Sequence, residues 1–583
     1  MEQERRTVEN WVDHLNALLS KRAGVAAGDV FALECYWRDL VAFTWNIKTM
    51  EGVSAIAEML AQVPFAEFKL LGAAEPEDGL TTAWLTFETS AGRGKAHVRL
   101  KDGKAFTLLT SLEELKGFEE RSGLTREKGS DHGARKAQPN WLEQRNAHAA
   151  ELGNSEQPYC VIIGGGQGGL ALGARLKRLG VPTLILEKNA RAGDSWRKRY
   201  RSLVLHDPVW YDHLPYIPFP SHWPVFTPKD KMGDWLEMYA RVMELNFWDS
   251  TECKKAAFDP GRKTWTVEVN RDGEHLTLHP KQLVFATGSY GPPRMISVPG
   301  MEEFNGETLH SSVYQSGEKF RGKRCVVIGA NSSGHDIAAD LWAHDADVTM
   351  IQRSPTTVVR SETLMELAFK GLYSEEAVAR GIDVDTADLI FASTPFRLWA
   401  DKQKPLAAAM AAQDAELLSR LNAVGFQTDL GEDGSGQMMK AFRTGSGYYL
   451  DVGCSELIAS GQIKIRSGVE PCRITPQGVV LSDGSEIAAD VIIFATGYLP
   501  MNEWVAQIVS RQVADLIGPN WGYGSGVKGD PGPWLGELRN MWKPLKHEAL
   551  WFHGGNLHLS RHYSKYLALQ LKARMEGLDV QVF

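Results

Sequence analysis

Two stretches of this 583-residue chain align on each other without a gap: "CVIIGGGQGGLALGARLKRLGVPTLILEK" from Cys160 and "CVVIGANSSGHDIAADLWAHDADVTMIQR" from Cys325. Self-similarity of this kind constrains the fold more than local propensity does, because each copy must be a unit that can be built twice. Each reads as apolar strand, glycine turn, helix and second apolar strand, the pattern of a βαβ unit. A shorter pair keeps step with it: "LVFATG" ends at Gly288 and "IIFATG" at Gly497, each an apolar strand stopped by small residues. The order unit, ATG, unit, ATG is what results when one nucleotide-binding domain is inserted inside another.

In the first copy Gly164, Gly166 and Gly169 form G-x-G-x-x-G directly after a strand and at the start of a helix. The first glycine permits the tight turn, the second lets backbone approach a pyrophosphate, and the third allows close packing of helix on strand. Glu187 ends the next strand, placed to accept hydrogen bonds from an unphosphorylated adenosine ribose, so the site suits FAD or NAD. Gln167 and Gly168 inside the turn, Lys188 after the acid, and Thr287 and Gly288 on the ATG strand are assigned to the same cofactor. In the second copy Gly329 and Gly334 remain, Asn331 takes the place of the central glycine, and Ser332 and Ser333 open the helix. Glu187 is replaced by Gln352, followed by Arg353. Loss of the acid removes repulsion toward a 2′-phosphate, and a guanidinium beside it can clamp that phosphate. NADPH is therefore expected here, FAD in the first copy, with Thr496 and Gly497 as the equivalent ATG contacts.

The net charge of −8 and pI near 6.1, with basic residues scattered, argue against nucleic acid as a partner and for a small-molecule substrate. The six cysteines form no C-x-x-C pair, which disfavours a disulfide framework, a metal site or a dithiol redox centre. Electrons passing from NADPH to flavin then need another acceptor, and O2 is the plausible one. No signal peptide and no membrane-spanning run is read, so the expected location is cytoplasmic.

The expected fold class is α/β: two Rossmann-like domains, the NADP domain inserted in the FAD domain, plus an N-terminal α+β domain. The expected boundaries are 1–120 for the α+β domain and 121–157 for a solvated linker. The FAD domain takes 158–315 and 491–583, and the NADPH domain with a helical insertion takes 316–490. "TTAWLTFETS" and "KAHVRLKDGKAFTLLTSLEEL" mark two or three antiparallel strands around a turn at Lys101-Asp102-Gly103.

With "GGGQGG", "GDSW" (Gly193 to Trp196), "FNGETLHSSVY" (Phe304 to Tyr314), "GANSSGHDIA" and "FATGY" in place, residues 158–583 resemble the flavin-containing monooxygenase family. The resemblance implies that NADPH reduces FAD and that O2 forms a C4a-(hydro)peroxyflavin donating one oxygen atom to a small organic substrate. It adds Ser195 and Trp196 to the cofactor contacts and gives Asn331 the nicotinamide end. Gln315 stands where Baeyer-Villiger members usually have proline. His206 and Asp207 fall where amine- and sulfur-oxidising members carry an asparagine facing the flavin. That placement is closer to the YUCCA-like branch and makes His206 and Asp207 candidate catalytic groups beside Asn331. Alternatives left open are an oxidase releasing hydrogen peroxide, a Baeyer-Villiger enzyme acting on ketones, and a binding protein using FAD structurally. The N-terminal region resembles the NTF2-like (SnoaL-like) cone, with Asp39 and His97 as pocket polar groups; a homodimer through such a cone is allowed.

Overall fold

The computed structural model describes residues 2–21, 24–63, 65–129, 132–133, 136–520, 522, 536–578 and 582. Its centre is a pair of five-stranded parallel sheets that share the order of four strands, the ATG strand and the three beside it, and differ in the fifth, which comes last in the chain in one sheet and first in the other. In one, Leu550–Phe552, Gln282–Phe285, Cys160–Ile163, Thr183–Leu186 and Phe247–Trp248 lie side by side. In the other the sequence is Glu307–His310, Val491–Phe494, Arg324–Ile328, Asp347–Gln352 and Lys464–Ser467. Each ATG strand pairs in parallel with the first strand of its glycine turn, Val284 opposite Ile162 and Ile492 opposite Val326. The central strands Cys160–Ile163, Thr183–Leu186 and Val491–Phe494 are buried throughout, as strands covered on both faces are, whereas the edge strands Glu307–His310 and Lys464–Ser467 carry exposed polar residues.

The duplication runs further than the sequence pattern showed. Each ATG strand is preceded by a three-stranded antiparallel meander, Thr251–Leu278 in the first unit and Pro471–Ala488 in the second. Two boundaries expected from sequence need correction. Glu307–His310 and Val491–Phe494 both belong to the second sheet, so this unit begins before 316 and ends after 490. The chain enters and leaves it side by side: Gly291 N donates to Leu499 O at 2.6 Å, Leu499 N to Pro292 O at 2.9 Å and Arg294 N to Gly497 O at 2.9 Å. The expected insertion is helical, from Ser361 to Thr444.

The expected linker is solvated, and within it the exposed residues Trp141–Glu151 form a helix. Asn140 caps it by accepting from Glu143 N at 2.9 Å, while the Glu143 carboxylate accepts from Asn140 N at 2.7 Å. Charged residues at these positions hid a reciprocal cap.

The N-terminal unit is a six-stranded sheet with the helices Glu2–Leu19 and Gly52–Gln62. Four successive strands from Ala66 to Leu115 are antiparallel, and Phe31–Leu40 joins the last of them in parallel. The expected turn is present, with Asp102 and Gly103 at φ 50° and 76°. One face of this sheet packs Trp37, Phe43, Phe68 and Phe87 into a single aromatic stack, so aromatic side chains fill the space a ligand cup would need. Asp39 is a bracket in that core, not a pocket acid: Thr110 and Thr44 hydroxyls and the Phe43 and Thr44 amides all donate to it within 3.0 Å.

The opposite face carries Arg38, His97, Arg99 and Ser111 and is covered by the chain's own helices. Arg38 donates to Glu537 (2.7 and 2.8 Å), to the Ala392 carbonyl (2.7 Å) and to the Tyr563 hydroxyl (2.9 Å). Ser111 meets Tyr566 at 2.9 Å, and Lys565 reaches Glu113 at 2.8 Å. A second copy pairing through this face would have to displace those helices. Among the described residues no helix is long and apolar enough to cross a membrane.

Candidate active site

The two glycine turns are sterically equivalent. Gly164 and Gly329 take φ 110° and 117°, and a Cβ on either would stand 2.4 or 2.3 Å from the carbonyl oxygen of Ala286 or Ala495 in its ATG strand. A Cβ on Gly169 or Gly334 would lie 1.9 or 2.0 Å from the carbonyl of the first glycine. At Gly166 the nearest atom to such a Cβ is Ser195 Oγ at 3.6 Å. The close approach made possible there is therefore toward something outside the protein, as a pyrophosphate requires.

Gly166 and Asn331 are the N-caps of the helices Gln167–Arg178 and Ser332–Ala343, and neither contributes a side-chain cap. The first backbone N–H groups of both helices are left for a ligand. The Asn331 side chain has no hydrogen bond among the described residues; its carbonyl accepts from His335 N at 3.0 Å and meets His335 Nδ1 at 3.1 Å. Ser332 Oγ donates to the Tyr448 carbonyl at 3.3 Å.

Glu187 is buried at the end of its strand. It accepts from Gly165 N (2.9 Å) and from the Asn189 amide and side chain (2.8 and 2.7 Å), so the first turn is tied to the acid that faces the ribose position. Its counterpart Gln352 is fully buried by another role, bonded to Thr356, Ser467 and both backbone groups of Gln427. Arg353 next to it is exposed, as Lys188 is. The turn is also tied to the chain's far end: Trp196 Nε1 donates to Gln167 Oε1 at 3.2 Å, and Gln167 Nε2 to the Gly555 carbonyl at 3.1 Å. Thr287 Oγ1 is buried with no hydrogen-bond partner, whereas Thr496 Oγ1 donates to the Arg294 carbonyl at 2.5 Å.

The motif from Phe304 to Tyr314 is anchored within the second unit. His310 Nε2 lies 3.1 Å from the Gly497 carbonyl, and Tyr314 donates to Asp340 at 2.6 Å on the second nucleotide helix. Tyr200, four residues after Trp196, donates to Asp336 on the same helix. Tyr200, in the same loop as His206 and Asp207, thereby ties that loop to the helix that Asn331 caps. His206 and Asp207 are half-buried; burial raises the Asp336 carboxyl, and burial first, with Asp207 adding, pushes Tyr211, Tyr448 and Asp212 up. Tyr290 is exposed and donates to the Gly445 carbonyl at 2.8 Å.

Several residues here escaped the sequence reading. His553 is fully buried against Gly168, and burial pushes its imidazole down to about 3. Asn556 caps the helix Leu557–Met575 and donates to the Tyr211 hydroxyl at 3.4 Å. Arg561 pairs with Asp388 at 2.9 and 2.8 Å and also donates to the carbonyls of Tyr211 (2.8 Å) and His213 (2.7 Å). Burial works against the ionised Asp388, yet Arg561 and His558 hold its carboxyl far below the usual range. The run "FHGGN" was a visible signal of a turn at a helix start; a partner 173 residues away, as Asp388 is from Arg561, leaves none.

Comparison with known proteins agrees with this geometry. Residues 161–376 match the model of the pyridine nucleotide-disulphide oxidoreductase family. All six cysteines are free, so the shared part is the nucleotide scaffold. Indole-3-pyruvate monooxygenase YUCCA1 of Oryza sativa subsp. japonica is 34% identical over 354 residues, covering 60% of this chain and 80% of that protein. A probable indole-3-pyruvate monooxygenase, YUCCA1 of Arabidopsis thaliana, is 33% identical, covering 58% and 75%. The open crystal structure of cyclohexanone monooxygenase shares the fold, with a TM-score of 0.51 at 18% identity over 72% of this chain and 88% of that one. Paired turns of FAD and NADP type and relatives matched over most of their length make this chain a member of the flavin-containing monooxygenase family.

Proposed function

We propose that this flavoprotein monooxygenase acts on an aromatic 2-oxo acid of the indole-3-pyruvate kind, using NADPH and O2. The observation that carries the substrate class is the 34% identity to an indole-3-pyruvate monooxygenase over 80% of its length. FAD supplies hydride acceptance and O2 activation when bound. The protein's part is to hold and to shield. The Gly164–Gly169 turn takes the FAD pyrophosphate on helix N–H groups and Glu187 takes the ribose. The Gly329–Gly334 turn takes the NADPH pyrophosphate, and exposed Arg353 takes the 2′-phosphate. Asn331, with its amide uncommitted, holds the nicotinamide end, and the rings of Tyr211 and Tyr448 exclude water.

The N-terminal unit is read as an NTF2-like cone whose outer sheet face, through Arg38, has become a fixed wall of the enzyme in place of a dimer contact. Turnover of the holoenzyme with indole-3-pyruvate, a thioether, a tertiary amine and a cyclic ketone, with product and peroxide both quantified against NADPH, tests the reading. The expected result is decarboxylation of indole-3-pyruvate to the acid one carbon shorter. Preference for the ketone would move the chain to the Baeyer-Villiger type, and peroxide alone would make it an oxidase.

A further inference from the structure

The residue that replaces the ribose acid in the second unit has no hydrogen-bonding capacity left for a ribose. Gln352 is 0% exposed. Its side-chain nitrogen donates to Thr356 Oγ1 at 3.2 Å and to the Gln427 carbonyl at 2.8 Å, and its oxygen accepts from Gln427 N at 2.8 Å and Ser467 Oγ at 2.7 Å. A primary amide has two donor hydrogens and one oxygen with two lone pairs, so these four bonds saturate it. Glu187 works differently, since one of its oxygens accepts from Gly165 N inside the first turn. In the second turn the equivalent residue is Ala330, and its carbonyl accepts from Thr356 Oγ1 at 2.9 Å. The tie to the turn thus runs through Thr356, and the Gln352 amide is spent on the helical insertion.

What that amide holds is Gln427. Both backbone groups of Gln427 are gripped by Gln352, Thr356 N donates to the same Gln427 carbonyl at 3.1 Å, and Thr356 pairs in parallel with Thr428. The preceding residue, Phe426, is fully buried and meets His335 of the second nucleotide helix edge to face, at 5.6 Å between centroids. With Phe426 pointing inward, Gln427 is exposed, and its side-chain amide makes no hydrogen bond among the described residues. That amide lies at the carboxyl end of the strand Lys464–Ser467: a Cβ placed on Gly468 would stand 3.2 Å from Gln427 Nε2, and Gly468 N donates to the Gln352 carbonyl at 2.8 Å. The Gln352 carbonyl belongs to the peptide that leads into Arg353. The uncommitted amide of Gln427 and the exposed guanidinium of Arg353 therefore spring from neighbouring backbone at the carboxyl edge of the sheet, where nucleotides bind in open parallel sheets.

We propose that Gln427 is a second contact for the 2′-phosphoadenosine end of NADPH beside Arg353, with Gln352 as the positioning residue that brings it there. This rests on the assignment of NADPH to the second turn. The exchange of acid for amide at 352 then recruits a donor as well as removing a charge, and the helical insertion supplies part of the cofactor selectivity. An amide N–H donating to a phosphate oxygen makes a charge-assisted bond that a bare ribose hydroxyl does not offer.

Calorimetric titration of the oxidised holoenzyme with adenosine 2′,5′-bisphosphate, adenosine 5′-phosphate, NADP⁺ and NAD⁺ reads binding without turnover. Gln427→Ala, a change at an exposed side chain, should weaken adenosine 2′,5′-bisphosphate and NADP⁺ about 10-fold and leave adenosine 5′-phosphate and NAD⁺ unchanged. Gln352→Glu should lose NADP⁺ affinity about 10-fold or more, because a carboxylate cannot donate to Thr356 or to the Gln427 carbonyl, and should gain no affinity for NAD⁺. An acid at 352 that faced the ribose would instead turn the site toward NAD⁺. Gained NAD⁺ affinity in Gln352→Glu, or unchanged bisphosphate affinity in Gln427→Ala, overturns the proposal. If Gln352→Glu does not fold, Gln427→Ala decides alone. A wild type that binds NAD⁺ as tightly as NADP⁺ refutes the NADPH assignment itself, a failure distinct from the other two.

Discussion

Arg38 offers the sharpest test of how the N-terminal unit is attached. Arg38 and Glu537 are 1% and 2% exposed, and the pair is bidentate at 2.7 and 2.8 Å. Thr49 adds a third donor to Glu537 at 2.8 Å, and the Arg38 guanidinium lies 4.7 Å from the Phe396 ring centroid. Arg38→Met keeps much of the side-chain volume but leaves Glu537 charged and buried with a single hydroxyl donor. Breaking a buried pair from one side costs about 3–5 kcal/mol, whereas replacing both partners by apolar groups is often neutral. The single variant should therefore be destabilised by about that amount in urea unfolding, and Arg38→Met with Glu537→Leu should recover most of it.

A second readout follows the contacts inward. Tyr563, which accepts from Arg38, stacks on Trp542 at 3.9 Å between centroids, and Trp542 Nε1 donates to the Gly554 carbonyl at 3.0 Å beside the first turn. FAD should consequently dissociate faster from Arg38→Met. If the single variant costs under about 1 kcal/mol, or the double variant costs the sum of the singles, the buried-pair reasoning is refuted.

Other outcomes follow from the site. Arg353→Ala should cut the preference for NADPH over NADH by about 10- to 100-fold, the worth of a charge-assisted phosphate contact; an unchanged ratio of kcat/KM values would remove Arg353 from the site. Gly166→Ala should fold normally yet bind FAD weakly, while Gly169→Ala, with a Cβ 1.9 Å from a carbonyl, should fail to fold; circular dichroism and flavin content separate them. Asn331→Gly should keep NADPH affinity but leak peroxide, and normal coupling would reduce Asn331 to a turn residue. His97 and His553 are pushed by burial to about 3, and His335 to about 4. Folded values below the unfolded one mean that the unfolded chain binds more protons. Stability should then fall as pH drops below about 6.5, by about 1.4 kcal/mol per unit for each histidine, down to its folded value. A flat urea midpoint between about pH 6.5 and 5 would contradict this.

What the sequence disclosed was whatever repeats or is local. The glycine turns, the ATG strands and the missing acid at Gln352 were legible because each is a short pattern with a steric reason. The meanders were not, since alternating exposed strands such as Thr251–Asp259 leave a weak signal when only the core face is constrained. Gln352 shows the limit from the other side: the substitution was visible, but its four hydrogen bonds to three residues, up to 115 positions away, were not. Asp212 looked like one more polar loop residue, because burial of a carboxyl depends on what packs over it. His97 and Asp39 were expected as pocket polar groups of one cone, yet they lie on opposite faces of the sheet, and both are buried.

The paired crossing at Gly291 and Leu499 has a bearing on ancestry and engineering. An insert whose two ends lie 2.6 Å apart, amide to carbonyl, adds almost no loop-closure entropy to its host. Such a module can be acquired, lost or exchanged as a cassette, because joining the chain across that point leaves the host sheet's strand order intact. A shortened gene that joins residue 290 to residue 500 would keep the flavin sheet but remove Asp388, the buried partner of Arg561, so such a carrier, or a foreign cassette at the same seam, needs Arg561 replaced or re-paired as well.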